Sequence, residues 1–94
     1  MWYAFNDREV PDREEEYWTE SELKYIKLKR FKTEEELENF LDSKFDTDDD
    51  YWWRVYNPDS PYSTKAVECI NDEDALQKIL ECVNNSKYEQ FHDL

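Results

Sequence analysis

The sequence contains no glycine among its 94 residues. Phosphate-binding loops, dinucleotide-binding turns and the Gly-x-Ser-x-Gly turn that presents a catalytic serine all depend on glycine. The absence therefore excludes these nucleotide-binding and hydrolase motifs. Turns must instead be formed by asparagine, aspartate and proline, as in residues 57–61 and at Asn84 and Asn85.

Cysteine, histidine and long apolar runs are also scarce. Cys69 and Cys82 are too few for a disulfide framework, and this favours free thiols in a reducing compartment. No run approaches the roughly 18 apolar residues of a membrane span. Residues 1–7 have neither the basic start nor the apolar core of a secretion signal. We therefore expect a cytoplasmic protein.

The sequence also shows little sign of a metal centre or a catalytic site. Asp46, Asp48 and Asp50 match the start of a calcium-binding loop, but Tyr51 stands where the loop needs glycine and Asn57 where it needs glutamate. The single histidine and the two cysteines are too few for a structural zinc site. No pair of carboxylates is marked as a tuned acid and base. We expect no metal, no other cofactor and no enzyme activity.

Acidic and aromatic residues are abundant. Twenty-five Asp and Glu face twelve Lys and Arg, giving a net charge of -13. Charge of this size destabilises a compact fold through self-repulsion, so we expect that it functions in binding a basic surface of a partner protein. Aromatic residues make up 17% of the chain and provide a core that disordered acidic segments lack. The chain is therefore predicted to fold as a single domain, residues 1–94.

Hydrophobic periodicity predicts an α+β fold with the element order ββαββα. The predicted helices follow Thr33, which forms a capping box with Glu36, and Asn71. Predicted strands cover residues 1–5, 25–31, 51–56 and 64–70. Residues 6–22 are predicted to be a long acidic loop with a helical turn after residue 12, and residues 86–94 a tail that frays or packs.

A weak internal repeat suggests how these elements are arranged. Residues 26–43 align without gaps on residues 65–82, so two ββα units related by a pseudo-twofold axis are the simplest account. Right-handed connections then give a four-stranded antiparallel sheet of order 1-2-4-3, with both helices on one face. This is a permuted ferredoxin-like arrangement. Chance similarity between two amphipathic segments is the alternative.

The first helix carries a row of carboxylates. Glu34, Glu38 and Asp42 recur every four residues, about 5.4 Å apart along the axis. DNA presents one charge per about 1.7 Å of its axis, so such a row can imitate phosphates. The alternative is a solvated face that serves only solubility. Further acids lie beside the row or continue it, namely Glu35, Asp46, Asp48, Asp49 and Asp50.

Trp52 and Trp53 are adjacent, so their rings must point to opposite faces of a strand. Helices on one face would leave some aromatic residues of the sheet exposed, and tryptophan is a favoured interface anchor. The alternatives are core filling, with Tyr17 and Trp18 folding back from the long loop, or homodimerisation through the open face.

Five of the twelve basic residues fall within nine positions. We expect these side chains to balance acids across the sheet, and not to bind nucleic acid in so negative a field. They are Lys24, Lys27, Lys29, Arg30 and Lys32.

In size, acidity and lack of catalytic motifs, the chain resembles small viral inhibitors of host defence, including DNA-mimicking anti-CRISPR and anti-restriction proteins. The resemblance implies a stoichiometric inhibitor that occupies the basic nucleic-acid-binding groove of a nuclease or related partner, without binding nucleic acid or membrane itself. One alternative is an immunity protein that neutralises a toxin nuclease, and another is a structural module that dimerises through an aromatic sheet face. The predicted partner-binding residues are Glu34, Glu35, Glu38, Asp42, Asp46, Asp48, Asp49, Asp50, Trp52 and Trp53.

Overall fold

The computed structural model describes residues 1–11, 17–45, 52–60 and 65–92, without the side chains of residues 45 and 86–92. The fold is mixed α+β, as predicted. The helical turn expected after residue 12 lies outside the described residues, whereas the backbone of residues 86–92 belongs to the last helix. The elements are, in chain order, β1 (Trp2–Asn6), α1 (Glu20–Leu23), β2 (Lys27–Phe31), α2 (Glu34–Phe45), β3 (Trp53–Arg54) and α3 (Asp72–His92).

The described strands form a three-stranded antiparallel sheet in the order β2-β1-β3. The predicted four strands in the order 1-2-4-3 are therefore wrong. The described part of the predicted fourth strand contributes only an isolated bridge between Tyr56 and Ala66. The end of this segment lies beside Met1, whose carbonyl accepts a hydrogen bond from the Cys69 amide at 2.7 Å.

β1 takes the central position because it is the strand that tolerates burial on both faces. Residues 3–6 are all buried, whereas no residue of β2 is buried and Lys27, Lys29 and Arg30 are exposed. A central strand must lose water from both faces, and lysine is almost never fully buried. The permuted ferredoxin-like arrangement, which needs β2 at the centre, is not confirmed.

The two long helices lie on opposite faces of the sheet, not on one face as predicted. Side chains alternate along β1, and residues opposite each other in the register share a face. Tyr3 and Phe5 pack with Val55 and with Ala75 and Ile79 of α3. Ala4, on the other face, lies beneath α2, opposite Lys29 of β2 and Arg54 of β3.

The face that carries α3 holds the main hydrophobic core. Its buried members include Tyr3, Val55 and Ile79, which are almost completely removed from solvent. Full burial of each such side chain stabilises the fold by about 1.5–3 kcal/mol. The remaining buried members are Phe5, Cys69 and Ala75, and the partly buried residues packed around them are Met1, Trp18, Ile26, Leu28, Val67 and Val83.

The face that carries α2 is held differently. Leu37 is fully buried there, and Phe40 lies between the rings of Phe31 and Trp52 at centroid distances of 5.3 and 5.4 Å. The Lys29 ammonium lies 4.7 Å from the centre of the Phe40 ring. Aromatic rings and cations therefore share this interface.

Both long helices begin at the predicted caps. The Thr33 hydroxyl accepts the Glu36 amide at 3.2 Å, and the Asn71 side chain accepts the Asp74 amide at 2.9 Å. The return bond of the predicted capping box is shifted by one residue, because the Glu36 carboxylate accepts the amide of Lys32 instead of that of Thr33.

The same shift occurs in α3, where Asp74 accepts the Ile70 amide. Thr33 thus corresponds to Asn71, whereas the sequence alignment paired it with Asp72. The repeat is therefore one residue out of register at the helix starts. The pseudo-twofold relation is wrong as well, because β2 and β3 both pair with β1.

A short helix, α1, occupies the end of the predicted long loop. Thr19 and Glu22 form its capping box, and the Glu22 carboxylate accepts both the amide and the hydroxyl of Thr19 at 2.7 Å. Trp18, which precedes Thr19, is fixed to α3 because its backbone forms two hydrogen bonds with the Asn84 side chain. Trp18 therefore packs against the core, as the core-filling alternative predicted, whereas Tyr17 is exposed.

Candidate partner-binding surface

The carboxylates of α2 lie on a helix that the sheet holds in place. Glu34, Glu35 and Asp42 are exposed. No cationic group pairs with any of these three among the residues that the structure describes. Their full charge therefore faces solvent.

Glu38, the middle member of the predicted row, is used internally. Arg54 of β3 donates to both of its carboxylate oxygens, with a distance of 3.0 Å from Nε to Oε1. The pair is partly shielded, with 38% of the Glu38 side chain and 25% of the Arg54 side chain exposed. The hydrogen bond to Glu38 raises the pKa of Arg54 against the opposing effect of burial. Because its charge is offset, Glu38 interrupts the row and fastens α2 to the sheet.

The rest of the predicted acidic array cannot be placed. Asp46, Asp48, Asp49 and Asp50 lie outside the described residues.

The two predicted aromatic anchors point to opposite faces, as expected from their adjacency. Trp52 is on the α2 side, where its ring makes an edge contact with Phe40, and its buried indole nitrogen has no hydrogen-bond partner among the described residues. Trp53 is on the α3 side and makes an edge contact with Phe5, yet 43% of it is exposed. The sheet therefore separates the exposed tryptophan from the carboxylates of α2.

A second group of acids, not singled out from the sequence, lies at the start of α3. β2 ends at Phe31, opposite Trp2, and α2 begins three residues later. Asp72, the first residue of α3, accepts a hydrogen bond from the Tyr3 hydroxyl at 2.7 Å. Both helices therefore begin at the same end of the sheet, on its two faces. Each first turn is wholly acidic, with Glu34, Glu35 and Glu36 in α2 and Asp72, Glu73 and Asp74 in α3.

The two acidic turns differ in how their charge is balanced. Asp74 binds the Lys78 ammonium at 2.7 Å, which lowers the pKa of Asp74 and raises that of Lys78. Asp72 is 3.8 Å from Arg30 in addition to its bond with Tyr3. The first turn of α3 is therefore partly neutralised within the chain, whereas Glu34 and Glu35 are not.

The signal for this pattern was present in the sequence. A carboxylate four residues before a lysine on a helix predicts an ion pair, and Asp74 and Lys78 have this spacing. What could not be found without the fold is that the two acidic turns share one end of the sheet.

The two thiols are poor nucleophiles. Burial raises the pKa of Cys82 to about 11, and the thiol donates to the Tyr56 carbonyl at 3.4 Å. Burial also raises the pKa of Cys69. Both groups are therefore protonated near neutral pH and fill space in the interior.

Two further properties concern only the part of the chain that the structure describes. No three His, Cys, Asp or Glu side chains there are grouped as ligands for a metal ion. No helix there combines the length and the apolar character that crossing a bilayer requires. The chain matches no protein-family model, no curated protein and no solved structure.

Proposed function

We propose that this chain is a small acidic stoichiometric inhibitor, of the anti-restriction or anti-CRISPR kind. It acts in the cytoplasm by occupying the basic nucleic-acid-binding groove of a partner protein. The observation that carries the proposal is the exposure of Glu34, Glu35 and Asp42 on one helix without cationic partners among the described residues. Glu35 and Asp42 are seven residues apart, so they recur on nearly the same side after about 10.5 Å. Such an array suits contacts with lysine and arginine that would otherwise bind phosphates.

The attachment of α2 supports this role. Leu37 is buried, Phe40 is packed between two rings, and Glu38 is clamped by Arg54. A helix held at three points loses little freedom on binding, so less of the electrostatic attraction is offset by ordering. Glu38 thus positions the exposed carboxylates of α2 by joining the helix to Arg54 of β3.

The aromatic contribution follows from the placement of the tryptophans. The Trp52 ring packs against Phe40 and thereby helps to position α2. Trp53 is exposed on the other face, where it adds an apolar contact for a partner that extends around β3. The electrostatic contact on α2 is therefore the primary one.

The test uses two variants with the same loss of charge. The first removes the α2 acids (Glu34→Gln, Glu35→Gln, Asp42→Asn). The matched control removes exposed acids of α1 and α3 (Glu20→Gln, Glu73→Gln, Glu81→Gln). The α2 variant keeps Glu36 in the first turn of α2, and the control keeps Asp72 and Asp74 in the first turn of α3, so both are expected to fold.

The partner is first captured from a cell lysate at low salt, eluted with a salt step and identified. Association of each variant with it is then measured at several salt concentrations. The α2 variant should associate at least tenfold more slowly at low salt, and the control variant much less so, because electrostatic steering depends on charge near the contact. Equal association rates for wild type and the α2 variant would contradict the proposal.

Competition separates the proposal from the immunity-protein alternative. DNA or RNA should displace a groove-binding inhibitor from its partner, whereas an immunity protein that blocks only a catalytic pocket should withstand it. The third alternative, dimerisation through an open aromatic sheet face, has less support because α2 and α3 each cover one face. Sedimentation over a concentration series tests it directly.

A further inference from the structure

The outer edge of β2 has no partner strand in the described part of the chain. β2 pairs with β1 along its whole length, and no other strand among the described residues lies beside it. An edge strand presents unpaired backbone donors and acceptors, to which another extended chain can bind.

The hydrogen-bonding pattern identifies which groups are presented. The Tyr3 carbonyl accepts the Val55 amide, so the backbone of Tyr3 points towards β3. Arg30, opposite Tyr3, and Leu28, two residues away, are then in non-hydrogen-bonded pairs with β1. Their amides and carbonyls therefore point outwards, which gives four outward-facing backbone groups along the edge.

The side chains of β2 alternate in character along this edge. Lys27 and Lys29 project on the α2 face, and Leu28 projects on the α3 face. Lys27 bonds Glu9 at 3.2 Å, and both side chains are largely exposed. Exposed pairs of this kind contribute about 0–1 kcal/mol, so an incoming carboxylate can compete for this lysine.

We infer that the outer edge of β2 is a docking site for an extended segment of another protein in which acidic residues alternate with apolar ones. Its acidic side chains would lie beside Lys27 and Lys29, and its apolar side chains beside Leu28. The inference does not depend on the proposed inhibitor function.

Charge complementarity selects this occupant against a second copy of the chain. Pairing β2 with β2 of another molecule would place lysine and arginine beside lysine and arginine, which is destabilising. The lysines thus discourage self-association at the edge, a common role for edge lysines, and at the same time favour an acidic strand.

The test uses a fluorescent peptide of five alternating valine and glutamate pairs at about 0.15 M salt, where repulsion by the net negative charge of the chain is screened beyond about 8 Å. We expect saturable binding to the wild-type protein, and weaker binding when glutamine replaces glutamate in the peptide. N-methylation of alternate peptide amides separates the two sides of the strand. One methylated set should abolish binding and the other should preserve it, because only one set of amides can face β2.

Amide exchange and one pair of variants locate the site. The amides of Leu28 and Arg30 should exchange more slowly with peptide bound, while those of Lys27 and Lys29 already bond β1. Lys27→Glu should weaken binding about threefold to tenfold, because an opposite-charge pair becomes a like-charge pair. Lys65→Glu, with the same change in net charge at another exposed lysine, should have a smaller effect. Absence of saturable binding, equal effects of the two methylated sets, or protection elsewhere would overturn the inference.

Discussion

The two faces of the sheet are built on different physical principles. The α3 face is dry, with Tyr3, Val55 and Ile79 almost fully buried. The α2 face combines one buried leucine with an aromatic group next to Lys29 and with the Glu38–Arg54 pair. Stability is therefore concentrated on one face, while the other face positions charge.

This division resolves a difficulty raised by the net charge of -13. Self-repulsion must be offset by burial, and the apolar core on the α3 face provides it. The α2 helix can then carry uncompensated carboxylates at modest cost, because few of the core contacts depend on it.

The largest effect should come from the core of the α3 face. Ile79→Ala should lower the free energy of unfolding by about 3 kcal/mol, within the range for large-to-small changes at fully buried sites. Ile70→Ala is the matched control, because Ile70 is 85% exposed, and it should change the free energy by less than about 0.5 kcal/mol. Urea unfolding of both variants measures the difference. Equal losses would mean that the core has been assigned to the wrong residues.

The next effect concerns the tyrosine that joins β1 to α3. Tyr3→Phe removes the hydroxyl that donates to Asp72, and should cost about 1 kcal/mol near neutral pH because Asp72 is exposed enough to be hydrated instead. Tyr25→Phe, at an exposed ring, is the control and should be close to neutral.

Tyr3→Phe should also change the pH dependence of the free energy of unfolding at alkaline pH. Burial, followed by the bond to Asp72, raises the pKa of Tyr3 to about 12, from about 10 in the unfolded chain. The fold thus favours the protonated phenol, and this stabilisation is fully present below pH 10 and is lost as the pH rises through 12. Wild type should lose stability more steeply over that interval than Tyr3→Phe. Parallel curves would show that Tyr3 does not retain its proton in the fold.

A smaller effect should come from the ion pair on the α2 face. In a double-mutant cycle with Glu38→Gln and Arg54→Met, the coupling free energy should be about 1 kcal/mol, near the upper limit for exposed pairs, because both side chains are partly shielded. Urea unfolding at low and high salt measures it, and the coupling should fall only modestly with salt. A coupling near zero would show that Glu38 does not fasten α2.

The local elements were predictable because short-range chemistry determines them. Thr33 and Asn71 each precede a carboxylate at the third following residue, and both helices begin there. The alternation of β2 likewise predicted its strand. The capping pair of α1, Thr19 and Glu22, has the same spacing and was missed inside a segment assigned as a loop.

The assembly of these elements was not predictable, because it depends on contacts between residues that are distant in the sequence. The central position of β1 is accompanied by the bond between Met1 and Cys69, which are distant in the sequence. Because β2 and β3 are both antiparallel to β1, they are parallel to each other, and α2 connects them across one face. The role of Glu38 followed only once Arg54 was placed beneath α2. Candidate site residues could therefore be selected by spacing, but not sorted into exposed and internally paired ones.

The smallest effect should come from the balanced acidic turn of α3, in contrast to the unbalanced turn of α2. Asp74 accepts the Ile70 amide and binds Lys78, and the resulting fall in its pKa means that the folded state favours the carboxylate. This stabilisation is present above the unfolded value of about 3.9 and is lost as the pH falls through the lower folded value. Asp74→Asn should therefore cost about 0.5–1 kcal/mol at pH 7 and progressively less below pH 4. Glu34→Gln, in the first turn of α2 without a cationic partner among the described residues, should cost less at pH 7, since only the helix dipole favours its charge. Urea unfolding of both variants at pH 7 and pH 3 makes the comparison, and an Asp74→Asn cost that persists unchanged at pH 3 would show that its charge does not stabilise the helix start.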